Sequence, residues 1–394
     1  MNEFLGDRIQ INSLLIVLSF VSVLALSSQS AASWPTYLLG VAVAVNYRSW
    51  DDVFRVRYFW LILGLVAYLV ASSLWSQPAT LEGGLRVFGR ALLIVLFVVA
   101  CAECQLRGQL KRWLGRSLAI VATLAAGAAI YVHFVMPNHF PGERLHGLGQ
   151  LDNPIIAGMV YGAALIIMLD LLNFERNSWW RIIGAVCVLV LVSAIYLTGS
   201  RSAWMSITGG VAIYLVALRV RDRQQFTTTV VSLGVIFGIL LLTLVAGDSI
   251  RELILPRGVS YRPDIWQETL NRIVGEGGMM LGLGIGTPDR VVVDGVEFSH
   301  PHSLYLSVLF QGGVIGLSLL FSLIMFTISN LLRSYDERDA KLALGLFGVA
   351  LLGYVLDGHE LIDKVSDMWF LFWFPVALAL GLAWRLPGKV PDDT

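Results

Sequence analysis

The sequence predicts an all-α polytopic membrane protein with about 12 transmembrane helices and two long outward loops, one of which carries short amphipathic helices. Three observations predict this class. Of the 394 residues, 56% are hydrophobic and only 14% are charged, against about 25% charged in an average soluble domain. The mean hydropathy is +0.72. Apolar runs suited to crossing about 30 Å of hydrocarbon recur along the chain.

Twelve apolar runs are the candidate spans, and some of them are short. No second soluble segment, repeat or low-complexity tract interrupts them, so we interpret residues 1–394 as a single integral membrane domain. The runs lie near 11–28, 34–46, 58–75, 85–101, 117–136, 155–172, 182–198, 203–218, 228–246, 304–331, 341–356 and 368–385.

The positions of lysine and arginine predict the orientation of the spans. These residues are kept preferentially on the cytoplasmic side when they lie near span ends. Eighteen of the 28 fall in the termini and in the loops that a cytoplasmic N-terminus places inside. Both termini are therefore predicted to be cytoplasmic. The other ten lie in outward loops or, for Arg86 and Arg90, inside a predicted span.

Two outward loops are long, about 137–154 and 247–303, and both mix glycine, proline and charge. Long loops on a helical scaffold often carry binding and catalytic residues, so we expect these two to form the cap of an active site. In the second loop, YRPDIWQETLNRIV predicts a short amphipathic helix with Pro263 in its first turn. Its predicted apolar face consists of Ile265, Trp266, Leu270 and Ile273.

Further along the same loop, GLGIG at 282–286 predicts a tight turn where the backbone approaches another segment closely. This stretch lacks the flanking strand, the helix and the spacing of a nucleotide site, so a nucleotide-binding function is excluded.

Five arginines are candidates for one outward-facing anion site. Arg201 lies in LTGSRSAW, a short turn between two spans, and a charge near the membrane is by default a functional candidate. Arg86 and Arg90 are four residues apart on one helical face, and Arg144 and Arg262 come from the two long loops. Because the guanidinium fork matches phosphate bidentately, their convergence would favour a polyanionic ligand.

Simpler interpretations of these arginines stay open. Arg86 and Arg90 can snorkel to the interface or pair with Glu82, and Arg144 can pair with Glu143 or Asp152.

His300 and His302 are split by Pro301 immediately before the run at 304–331. Residues at i and i+2 around a proline are expected to point apart, and no third ligand is evident, so we predict no metal site and no cofactor. A histidine here can be a simple interfacial residue. It can also be a general base, because the unperturbed imidazole pKa near 6.5 suits proton transfer at neutral pH.

Four segments in this order resemble the O-antigen ligase and polymerase superfamily. They are GERLHGLGQLDNPIIAG, TGSRSAW, YRPDIWQ followed by GLGIGTPD, and PHSLYLSVLFQGGVIGL. The resemblance covers about residues 85–386. One departure is Ser303, since asparagine commonly follows the histidine in that family.

The resemblance implies transfer of a glycan from undecaprenyl diphosphate to the lipid A-core at the periplasmic face of the bacterial inner membrane. It implies an inverting, metal-independent reaction with membrane lipid around it and no nucleic acid. His302 matches the family's essential histidine, which is the catalytic candidate. Arg201, Arg262 and Arg144 match arginines thought to meet phosphates, and Arg86 and Arg90 are added on charge alone.

Other functions stay open at this point. An O-antigen or exopolysaccharide polymerase of the same superfamily differs mainly in its acceptor, and a protein-directed oligosaccharyltransferase is a further possibility. A twelve-helix secondary transporter is less favoured, because the unusual charges cluster at one end of the spans instead of at the midplane.

The predicted orientation can be tested by thiol labelling. Cysteines introduced at Gly142 and Gly295 should react with an impermeant thiol reagent in intact spheroplasts, because both positions are predicted to face outward. A cysteine at Asp222 is the matched inward control and should react only after the membrane is permeabilised. Labelling of the Asp222 position in intact spheroplasts would reverse the whole topology.

Overall fold

The computed structural model describes residues 2–46, 50–136, 144–220, 222, 224–227, 230 and 261–385. This part of the chain is largely helical. The long helices are α1 (Asn2–Ala25), α2 (Gln29–Asn46), α4 (Arg57–Ser72), α5 (Leu81–Leu106), α6 (Gly115–Val135), α7 (Pro154–Phe174), α8 (Ser178–Leu197), α9 (Arg201–Arg219), α11 (Leu304–Arg333) and α12 (Arg338–Leu356). The shorter helices are α3 (Trp50–Phe54), α10 (Arg262–Gly275) and α13 (Phe374–Trp384). Single π-helical segments, Leu110–Leu114 and Trp369–Trp373, precede α6 and α13.

Helices coincide with eleven of the twelve predicted spans. The ninth, near 228–246, lies outside the described residues except for residue 230. Among the described residues, seven helices are long and apolar enough to cross a membrane, and three shorter apolar helices accompany them. The multi-pass membrane architecture is confirmed, whereas the count of twelve spans stays a prediction.

Helices α9 and α12 pack together through glycines. A Cβ atom added at Gly210 would lie 2.8 Å from the carbonyl oxygen of Gly345, and one added at Gly209 would lie 2.2 Å from the side chain of Leu352. Small residues allow this close approach of two backbones, which strengthens packing in lipid. The two helices run antiparallel, so the start of α9 at Arg201 lies at the same end as the last turn of α12.

The loops divide between two ends as the sequence predicts. Loops expected to face outward contact one another through Leu145 N to Leu197 O (2.9 Å), Gln150 N to Val23 O (2.8 Å) and Gln29 Nε2 to Val365 O (2.9 Å). Loops expected to face the cytoplasm contact one another through Arg116–Glu175 (2.6 Å), Lys111–Asp339 (3.7 Å) and Arg385–Glu337 (3.5 Å).

Helix α11 is broken at Gly313, which has φ 61° and ψ −162°. The break separates the helical segments 304–312 and 314–333. The glycine-rich loop 279–284 supplies partners for the interrupted backbone. The amides of Leu283 and Gly284 donate to the carbonyls of Phe310 (2.7 Å) and Gln311 (3.0 Å), and those of Val314 and Ile315 donate to the carbonyls of Met279 (2.9 Å) and Met280 (3.3 Å).

The predicted tight turn at GLGIG is confirmed. Gly282 and Gly284 have φ of 76° and 92°, a region that favours glycine. A Cβ atom at Gly282 would lie 2.4 Å from the backbone of Gln311, and one at Gly284 would lie 2.6 Å from the carbonyl oxygen of Ser72. The turn therefore joins the end of α4 to the broken segment of α11.

The predicted amphipathic helix is present as α10, with Pro263 in its first turn. Its buried stripe is Ile265, Thr269 and Ile273. Leu270 was wrongly assigned to this face and is 39% exposed. Residues 265 and 273 are two turns apart, so the residue between them on the same face is Thr269.

The described residues are mostly helical, as the all-α prediction requires, and they include one short β-hairpin. Strands β1 (Val291–Val293) and β2 (Val296–Phe298) form an antiparallel hairpin that packs on α10. Asp294 and Gly295 form its two-residue turn, with φ of 51° and 79°. An Asp-Gly pair between apolar runs favours such a turn, so VVVDGVEF carried a hairpin signal in the sequence.

The close approach at Gly282 predicts a stability difference between two alanine variants. Gly277 also has a positive φ, 73°, but nothing lies within 4 Å of a Cβ there. Gly277→Ala should cost only the backbone strain of roughly 1–2 kcal/mol. Gly282→Ala adds a steric conflict with Gln311, so its unfolding temperature in detergent should fall further. Equal unfolding temperatures for the two variants would contradict the packing of this turn.

Candidate functional site

A buried carboxylate, Asp357, lies directly after α12, at the end of the molecule that the sequence predicts to face outward (the outward end). It is 1% exposed. Its Oδ1 lies 3.4 Å from Nδ1 of His302 and 3.9 Å from Nε2 of His300. Its Oδ2 accepts a hydrogen bond from Nδ2 of Asn153 (3.1 Å), and the amide of Gly358 donates to Oδ1 (2.9 Å). Residues from segments that are far apart in the sequence therefore contact the same carboxylate.

The surroundings of Asp357 keep it ionised. Burial raises the pKa of this carboxyl, but the hydrogen bonds from His300, His302 and the Gly358 amide oppose burial and hold the pKa well below its usual range. A carboxylate that is charged at every physiological pH favours one tautomer of His302, with the proton on Nδ1. In that tautomer of the neutral imidazole, Nε2 is the acceptor nitrogen.

The expectation that His300 and His302 point apart is wrong. Their ring centroids are 4.1 Å apart, and both rings face Asp357. The cause is the backbone of His302, whose φ of 52° lies in the left-handed region that few residues other than glycine adopt. The chain turns there before α11 begins, which brings both imidazoles to the same side of Pro301. Phe298 of β2 lies beside His302, with ring centroids 6.3 Å apart.

The three ligating atoms of His300, His302 and Asp357 lie within 4.8 Å of one another, a spacing that can hold a metal ion. The hydrogen bonds among these groups also account for their proximity. The expectation of a metal-free site therefore stays a prediction.

Arg262, the first residue of α10, lies within electrostatic reach of Asp357. Burial lowers the pKa of its guanidinium, and the charge of Asp357 opposes that shift. Arginine stays protonated even so, since its usual pKa exceeds 12. The structure thus places a positive charge within electrostatic reach of the carboxylate that faces both histidines.

Arg144 and Arg201 lie at the turn between α8 and α9. Nε of Arg144 donates to the carbonyl of Thr198 (2.7 Å), and the Arg144 side chain packs against Gly199. Arg201 begins α9, is exposed, and follows Ser200, which caps the helix by accepting from the amide of Ala203 (3.2 Å). The two arginines therefore line one rim of the outward end.

Arg86 and Arg90 differ from each other in their surroundings. Arg86 forms an ion pair with Glu82 (2.6 Å) and is largely exposed, as the simpler interpretation anticipated. Arg90 lies 3.5 Å from Glu360, only three residues after Asp357. Burial raises the pKa of Glu360 to about 7, against the lowering effects of His359 and Arg90. Arg90 thus contacts the segment that carries Asp357, whereas the described contacts of Arg86 keep it on its own helix.

Sequence reasoning missed Asp357, Asn153, His359 and Asp289. His359 lies 3.4 Å from Asp289, and its ring centroid is 4.8 Å from that of His300. A signal was present, because DGHELIDKVSD in the short loop after α12 places many charges beside an apolar run. This loop is short, whereas the predicted site was placed on the two long loops.

The fold is that of a multi-pass membrane protein. At the outward end it carries a histidine–carboxylate pair with arginines nearby. Residues 185–321 match a family model described as O-antigen ligase. That range includes Arg201, Arg262 and His302. Over 333 residues the chain is 28% identical to the O-antigen ligase of Pseudomonas aeruginosa, covering 82% of this chain and 77% of that protein. These matches confirm the resemblance inferred from the four sequence segments and support a lipopolysaccharide-related transferase function.

The spacing of His300, His302 and Asp357 makes metal dependence a direct question for experiment. We expect activity of the purified protein to persist in excess chelator, because the arginines are expected to neutralise a phosphate leaving group, as Mg²⁺ does in other enzymes. The measurement is product formation before and after dialysis against chelator. Loss of activity that a divalent ion restores would show that the cluster binds metal.

Proposed function

We propose that this protein is an O-antigen ligase. It transfers a glycan from undecaprenyl diphosphate to the lipid A-core at the periplasmic face of the inner membrane, with both termini cytoplasmic. The match to O-antigen ligases supports the reaction class. The observation that carries the proposal is the His302–Asp357 pair beside Arg262 at the outward ends of α7, α11 and α12.

His302 acts as the general base. Its Nδ1 faces Asp357, so Nε2 accepts the proton of the acceptor hydroxyl as the oxygen attacks the anomeric carbon. The side chain is 27% exposed, so a substrate can reach it. Asp357 holds the ring in position and stabilises the imidazolium that forms, as the buried aspartate does in serine proteases.

The arginines stabilise the leaving group. As the bond between the anomeric carbon and the phosphate oxygen breaks, its electron pair departs with undecaprenyl diphosphate. Arg262, Arg201 and Arg144 supply positive charge at this end of the molecule, where the growing charge of the diphosphate needs neutralising. Attack from the face opposite the diphosphate inverts the anomeric carbon.

The position of the site suits a donor anchored in lipid. The polyprenyl tail lies in the lipid around the spans, and the diphosphate lies at the ends of the helices. The described parts of the two long loops, 144–154 and 261–303, contribute Asn153, Arg262 and His302, so these loops act as the cap of the active site. Arg90 can add a charge from α5, next to Glu360.

A deletion strain tests the proposed reaction. Loss of a ligase should remove all long-chain lipopolysaccharide bands while polymer linked to undecaprenyl diphosphate accumulates. A core carrying one repeat unit would instead indicate a polymerase, and unchanged lipopolysaccharide would contradict both functions. The readout is the lipopolysaccharide banding pattern together with extraction of the lipid-linked polymer.

Kinetic analysis of variants separates the roles of base and arginines. His302→Ala should lower turnover by roughly 10²- to 10⁴-fold with nearly unchanged donor affinity, because a neutral imidazole contributes little to holding phosphates. Arg201→Ala or Arg262→Ala should weaken donor binding and turnover together, and lysine should rescue only partly because it lacks the planar fork.

Arg290→Ala is the matched control for the arginine variants. Arg290 lies in the same loop, is 69% exposed, and pairs with Glu297 on the hairpin (3.1 Å). An exposed pair of this kind contributes little, so turnover and donor affinity should be unchanged. If His302→Ala retained normal turnover, or lost donor binding as strongly as Arg201→Ala, His302 would not be the base.

A further inference from the structure

A second histidine–carboxylate pair lies beside the first. Nε2 of His359 is 3.4 Å from both oxygens of Asp289, and the His359 side chain is 39% exposed. Asp289 is 8% exposed, and its loop is held by Arg272, which donates to the carbonyl of Pro288 (2.7 Å). Nothing in the reaction described above uses this pair.

We propose that His359, held by Asp289, is the proton donor to the departing diphosphate and acts opposite His302. The inference rests on the proposed glycan transfer and adds a second catalytic residue to it. Because Nε2 faces Asp289, the other nitrogen, Nδ1, is the one that meets the leaving oxygen.

The three rings form one cluster, so His302 and His359 can act on the same substrate. The ring centroid of His300 is 4.1 Å from that of His302 and 4.8 Å from that of His359, which sets an upper limit of about 9 Å on the separation of the other two rings. Inverting glycoside hydrolases place their acid and base carboxyls about 6.5–9.5 Å apart, because nucleophile and leaving group lie on opposite faces of the sugar. The same geometric requirement applies to an inverting transfer.

The charges around His359 favour its protonated form. Burial lowers the pKa of this imidazole, but the hydrogen bond to Asp289 and the negative charges of Glu360 and Asp363 raise it above its usual value. His300 is the other titratable group against the ring. His302 has a different environment, since it shares a single carboxylate with His300. The charges around His359 thus favour the protonated form that a proton donor requires.

The proton count balances over one turnover. The acceptor hydroxyl gives its proton to Nε2 of His302 and its oxygen forms the new glycosidic bond. The bond from the anomeric carbon to phosphate breaks, its electron pair stays on the phosphate oxygen, and Nδ1 of His359 donates a proton there. His302 then releases a proton to water and His359 takes one up, since both side chains are partly exposed.

The pH dependence of turnover tests this assignment on the full-length protein in detergent. The donor is undecaprenyl-diphosphate-linked glycan from the deletion strain, and the acceptor is lipid A-core from the same cells. His359→Gln should lower turnover roughly 10²-fold at neutral pH and abolish the alkaline limb of the profile. Asp289→Asn should move that limb to lower pH with little loss at the optimum, because it removes the charge that favours protonated His359.

Two further variants serve as controls for the pH profile. Asp294→Asn changes a carboxylate in the hairpin turn of the same loop, where asparagine suits the positive φ, and should leave the profile unchanged. His359→Lys restores a protonated donor and should recover part of the rate lost in His359→Gln. An alkaline limb that is unchanged in both His359→Gln and Asp289→Asn would overturn the acid role. The proposed function would stand in that case, because the deletion strain and His302→Ala test it without His359.

Discussion

The buried charge of Asp357 is the constraint on which the outward end depends. An ionised carboxylate out of water costs several kcal/mol unless hydrogen bonds and opposite charges compensate it. Here the compensation comes from the start of α7 through Asn153, from the segment before α11 through His300 and His302, and from the Gly358 amide. These elements must therefore occupy fixed positions relative to α12. The groups that satisfy the charge are also the groups that a base catalyst requires.

A second constraint is the break in α11, the helix that begins two residues after His302. In a continuous α11, the backbone groups would form hydrogen bonds within the helix, and the loop 279–284 would not be needed as a partner. The left-handed Gly313 interrupts the helix, and the glycine-rich turn replaces the lost hydrogen bonds. Because Gly284 of that turn also packs against the end of α4, the segment that follows His302 is held from two sides. The interrupted backbone within this predicted span is tolerated because other backbone groups of the protein satisfy it.

The short segment 357–360 connects the site to three separate parts of the fold. Asp357 contacts the histidine pair, His359 contacts Asp289 in the loop before β1, and Glu360 contacts Arg90 on α5. Each link joins a carboxyl group to a histidine or an arginine in buried or partly buried surroundings, where polar interactions are stronger than in water. The four residues that follow α12 thus contact the proposed base and one of the arginines and include the proposed acid.

The sequence by itself determined the properties that depend on local composition. Hydropathy predicted the helices, arginine and lysine positions predicted which loops share an end, and glycine spacing predicted the close approach at 282–286. It also identified His302 and the arginines of the rim. Tertiary structure alone decided which side chains meet. Asp357 is 55 residues from His302, and Asp289 is 70 residues from His359, so no local pattern links them. The left-handed backbone of His302, which accompanies the turn of both imidazoles toward Asp357, is a conformation that persists only where the surrounding fold holds it.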